Sequence, residues 1–154
     1  MPARVRLVAR ACACAAVLAL AGARAGAADR IYVVVQASNP VQSLSLRDVV
    51  ALYTGRTSAF PNARRAVPLD FPHDSAQRQA FYWTLTHQDL AQINSYWSRL
   101  FFSGQLQPPR EVADEAEMRA AVRHDPSALG YLMHDPADPA LRVVLSVPVA
   151  VEPK

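Results

Sequence analysis

Apolar positions along the chain fall into short β-branched runs separated by stretches of helical spacing. Ile31 to Val35 is such a run, ending at the turn-forming Ser38-Asn39-Pro40, and it reads as a buried strand. Ser45 and Asp48 have the spacing of a helix-opening capping pair, with Leu44 and Val49 flanking them as a hydrophobic staple. Leu46, Val49, Val50 and Tyr53 then recur with helical period, and Gly55 suits the C-terminal cap. Ala66 to Phe71 predicts a second short strand, which Pro68 restricts to an edge or to a few residues. Asp74 or Ser75 opens a helix carrying Ala80, Phe81, Trp83 and Leu85. Asp89 opens another with Leu90, Ile93, Tyr96, Trp97, Leu100 and Phe101, closed by Gly104. Gln105 to Arg110 is a connector. Asp114 with Glu117 opens a helix through Met118, Ala121 and Val122 that Asp125-Pro126 breaks, and Leu129 to Met133 and Arg142 to Val149 read as strands. The order β-α-β-α-α-α-β-β predicts an α/β layered domain, a small mixed sheet flanked by helices.

The N-terminus changes the picture of charge. Arg4, Arg6 and Arg10 precede an uncharged apolar stretch, Ala11 to Ala23, which is followed by Arg24 and the small residues Ala25-Gly26-Ala27-Ala28. This layout predicts an export signal over residues 1–28, cleaved after Ala27 or Ala28, and one domain over 29–154. The apolar stretch falls short of the roughly 20 residues of a membrane span, so stable membrane insertion after cleavage is not expected. Cys12 and Cys14 both leave with the signal, which removes disulfide and thiol chemistry. Four of the sixteen basic residues leave too. Twelve then face thirteen acidic ones, a net charge of −1 that takes away the electrostatic case for a nucleic-acid partner.

One constellation carries candidate chemistry. In Phe71-Pro72-His73-Asp74-Ser75-Ala76-Gln77-Arg78 a strand runs into a helix whose first turn holds a hydroxyl and a guanidinium. Unpaired N–H groups at a helix start favour negative charge, so this turn can hold an oxyanion, although a plain capped helix with an arginine accounts for the same pattern. Ser38 and Asn39 are expected to add donors at the same sheet end. Three His-Asp pairs (73–74, 124–125, 134–135) match no metal-ligand spacing, and no metal or other cofactor is expected. No G-x-S-x-G nucleophile motif and no P-loop is present, so an enzyme is the least favoured class. Tyr82, Trp83, Tyr96 and Trp97 read as core.

These segments, taken in order, resemble the short, single-domain relatives of the phosphate-binding periplasmic proteins of ABC importers. The resemblance is carried by I-Y-V-V-V-Q-A-S-N-P (31–40), L-S-L-R-D-V-V-A-L-Y-T-G (44–55), V-P-L-D-F-P-H-D-S-A-Q-R-Q-A-F-Y (67–82), Y-W-S-R-L-F-F-S-G (96–104), P-P-R-E-V (108–112) and P-S-A-L-G-Y-L (126–132). It implies a type II periplasmic-binding-protein fold in a compact single-domain form. It also implies anion binding through Ser38, Ser75 and Arg78, with Asn39 beside them, and a packing role for Gly130-Tyr131. Asp74-Ser75-Ala76 departs from the S-G-T-like loop of full-length phosphate receptors, lacking its glycine and threonine. The function implied is a periplasmic, non-enzymatic substrate-binding protein for a small oxyanion such as phosphate, working with an inner-membrane importer or sensor. The alternative is a ligand-free interaction module of an envelope complex that keeps the fold.

Overall fold

A computed structural model describes residues 29–151, and the expected export signal lies outside the described residues. The chain forms β1 (Arg30–Gln36), α1 (Leu46–Tyr53), β2 (Val67–Asp70), α2 (Ala76–Thr86), α3 (Leu90–Phe102), β3 (Arg110–Glu111), α4 (Glu115–His124), β4 (Ala128–Leu132) and β5 (Leu141–Pro148). Every helix starts where its cap residue predicts. Ser45 and Asp89 make reciprocal capping boxes with Asp48 and Gln92, and Ser75 and Asp114 accept from the backbone N–H groups of Arg78 and Glu117.

The strands assemble in the order β3-β2-β4-β1-β5. β2 runs parallel to β3 and β4, whereas β1 runs antiparallel to both β4 and β5. First and last strands are therefore neighbours, and the sheet is mixed. The two-residue β3 was not foreseen within the connector, and it takes β2 off the edge; of the two restrictions expected from Pro68 the second holds, since β2 has only four residues. The sheet tolerates the proline because of where its missing donor falls. Val67 donates to Ser127 on the β4 side, and Asp70 accepts from Val112 on the β3 side. Alternation puts the Pro68 nitrogen toward β3, whose pairing begins only opposite Leu69.

Successive β4 residues face opposite layers. Gly130 faces α4, where an added Cβ would lie 2.7 Å from Met118 Sδ and 2.9 Å from Val122 Cγ2, so only glycine lets this helix approach so closely. Tyr131 faces the other way. Its ring stacks on Phe81 of α2 at 3.8 Å and meets Tyr53 of α1 edge-on at 5.8 Å. Helices thus cover both faces, and the aromatic half of the core lies between the sheet and α1–α2.

Candidate functional site

β2 ends on a carboxylate that the core encloses. Asp70 is 3% exposed, and each of its oxygens has two donors. Oδ1 accepts from Phe71 N at 2.9 Å and Tyr131 Oη at 2.6 Å; Oδ2 accepts from Arg78 Nε at 2.8 Å and Tyr82 Oη at 2.9 Å. A buried charge is tolerated only when paired and hydrogen-bonded, and here α2, β4 and the backbone just past β2 supply the partners. The Ser75 cap fixes the start of α2, which puts Arg78 and Tyr82 four residues apart on one helix face. The Arg78 Cζ lies 5.2 Å from the Tyr82 ring centroid.

The cluster fixes its own protonation states. Burial, and behind it the Asp70 carboxylate, pushes the phenols of Tyr53, Tyr82 and Tyr131 well above the ordinary tyrosine value. Burial alone would lower the Arg78 guanidinium, but Asp70 outweighs it and holds the group above its usual range.

Arg78 is 5% exposed, and most of its donors are spent inside the protein. Nη1 donates to His73 O at 3.1 Å and to Asn94 Oδ1, while Asn94 Nδ2 donates to the same His73 carbonyl at 3.1 Å. Nη2 makes no hydrogen bond among the described residues. Arg78 also borders a cavity of about 580 Å³. Buried Asp70, Phe71, Arg78 and Trp97 form its floor, half-buried Asn94 and Pro109 its wall, and exposed His73, Ser98, Phe101, Phe102, Pro108 and Glu111 its rim. The Trp97 indole N–H is buried without a hydrogen-bond partner. Its closeness to Tyr82 offsets a small part of that phenol's rise, yet the geometry between the two falls short of a hydrogen bond.

The four residues singled out from sequence do not converge. Because β1 and β2 run antiparallel to one another through β4, Ser38 and Asn39 lie at the opposite sheet end from Ser75 and Arg78, which corrects the expectation of a shared end. Ser38 is exposed and donates to Gln36. Asn39 is buried, donating to Pro126 O at 2.8 Å and accepting from Val41 N at 2.9 Å. Ser75 caps α2, its Oγ 3.3 Å from Arg78 N. Arg78 reaches the cavity, but with Asp70 as its partner. Sequence reasoning passed over Asp70 and Asn94 and read Tyr82 and Trp97 as core, where both indeed lie. The available signal was the carboxylate in the otherwise apolar A-V-P-L-D-F run, a residue type almost never buried unless paired. Among the described residues no cluster of His, Cys, Asp or Glu could hold a metal ion. No helix there is long and apolar enough to cross a membrane.

No protein-family model matches the chain, and no curated protein matches it. Solved structures share its fold. A Clostridium perfringens protein described as a phosphate ABC transporter substrate-binding protein, with phosphate bound, superposes with a TM-score of 0.59 at 18% identity over 75% of this chain. An ABC-type phosphate transport receptor from Vibrio cholerae gives 0.59 at 16% identity over 75%. The matched region spans 44% and 45% of those chains, so this chain corresponds to less than half of either. The fold is that of the periplasmic binding proteins, as the sequence resemblance implied.

Proposed function

We propose that this chain is a periplasmic substrate-binding-type protein that takes a small anionic solute at the Arg78 cavity, for import or sensing. One observation carries the reading: a nine-tenths-buried guanidinium with one nitrogen lacking a protein acceptor borders a cavity large enough for a small molecule. The fold shared with phosphate-binding proteins supports an anion as ligand. Arg78 is then the contact kept from the sequence reading, with Ser75 acting on it through the start of α2. Ser38 and Asn39, at the far sheet end, have no part in this cavity.

A second reading, the interaction module without a solute, is favoured by the exposed Phe101 and Phe102 on the cavity rim, 48% and 85% exposed. Thermal unfolding of the purified protein with millimolar phosphate, sulfate and small carboxylates separates the two. A ligand at about 100 times its dissociation constant stabilises a fold by about 2.7 kcal/mol, a rise of several degrees in a domain of this size. A rise abolished by Ser98→Trp, which fills the mouth of the cavity from an exposed helix position, supports the solute reading. No rise with any anion leaves the interaction module.

A further inference from the structure

Resting on the solute-binding reading, we infer that the cavity selects a singly charged organic acid with an apolar body, not inorganic phosphate. The charge count comes first. Asp70 already neutralises Arg78, with Nε 2.8 Å from Oδ2, and Glu111 adds a negative charge at the rim. A phosphate dianion would bring two more charges against one guanidinium nitrogen without an acceptor. Most of its remaining oxygens would be desolvated against aromatic and proline side chains, a cost that the few polar groups of the lining offset only in part. A monocarboxylate asks for less: one charge-assisted hydrogen bond from Arg78 Nη2 holds its head.

The walls supply the other half of the argument. Phe71, Trp97, Phe101, Phe102 and the Pro108-Pro109 pair present apolar surface over most of a cavity of about 580 Å³. An inorganic oxyanion has no apolar surface to cover them, whereas an aryl or alkyl body does, and the area removed from water adds to affinity. Phe101 and Phe102 make an edge-to-face pair at 5.7 Å on the rim, where a ring entering the cavity would meet them.

Isothermal titration of the purified protein with phenylacetate, phenylacetamide, phenyl phosphate and inorganic phosphate tests the inference. Phenylacetate is expected to bind at least about tenfold more tightly than inorganic phosphate, a difference of about 1.4 kcal/mol, with phenyl phosphate and phenylacetamide between them. Ser98→Trp should abolish phenylacetate binding, and Ser95→Trp, at an exposed position of the same helix outside the cavity lining, should leave it unchanged. Inorganic phosphate binding as tightly as phenylacetate would overturn this inference and leave the solute-binding reading standing. So would phenylacetate binding that survives Ser98→Trp alongside a phosphate signal that does not. Heat from none of the four overturns the inference and removes the support for a solute at this cavity as well.

Discussion

The two ends of the sheet each bury a polar residue where a strand stops, and they use it differently. At the end of β1, Asn39 is 3% exposed, and its amide is spent on backbone: Nδ2 on Pro126 O, Oδ1 on Val41 N. Arg142 Nη1 adds to this knot by donating to the Asn39 and Val41 carbonyls. At the end of β2, Asp70 is equally buried but charged, and its partners, the Phe71 N–H apart, are side chains from α2 and β4. A neutral amide whose nitrogen and oxygen both meet backbone finishes a turn. A carboxylate satisfied by a guanidinium leaves part of that guanidinium for something else, and the leftover nitrogen is at the cavity. The difference shows that burial alone does not mark a site. What marks it is a donor still without an acceptor once the partners have been counted.

The contrast can be broken from the charged side first. Arg78→Met alone should cost about 3–5 kcal/mol of unfolding free energy in a denaturant titration, because it strands a buried carboxylate. Alkaline pH attacks the same end. The phenols of Tyr53, Tyr82 and Tyr131 ionise higher in the fold than in the unfolded chain. Their stabilisation is therefore complete below about pH 10, the ordinary phenol value, and declines as pH rises toward the folded values. Each phenol contributes up to about 1.4 kcal/mol per pH unit in that window, so the denaturation midpoint should fall steeply above pH 10, and less steeply in Tyr131→Phe. On the neutral side, Asn39→Ala should cost about 1–3 kcal/mol by leaving the Val41 N–H and Pro126 carbonyl without partners, with no change in ligand binding at the cavity. Ser75→Ala, which removes only a cap, should cost about 1 kcal/mol.

Much of the fold was legible because the chain writes its element boundaries in short-range chemistry. Ser45 with Asp48, Asp89, Asp114 with Glu117, Gly55 and Gly104 each act within a few residues of themselves. β3 was not legible, since two paired residues have no period to read. The site was legible only in part. Ser75 and Arg78 declared themselves by spacing along one helix, but whether Ser38 could join them depended on strand direction. Nothing in the residues of β1 records that it runs against β2. The identity of Arg78's partner was equally hidden: Tyr131 reaches Asp70 across 61 positions of sequence and Asn94 reaches Arg78 across 16, contacts made by topology and not by pattern.

The central claim is that Asp70 and Arg78 satisfy each other beneath the cavity. A double-mutant cycle of Asp70→Asn and Arg78→Met, read by denaturant unfolding at neutral pH, tests it most directly. The account predicts that each single change is severe and that the double variant is far less destabilised than their sum, a coupling of roughly 2–3 kcal/mol. Additive losses, within about 0.5 kcal/mol, would contradict it and return the Arg78 charge to the cavity.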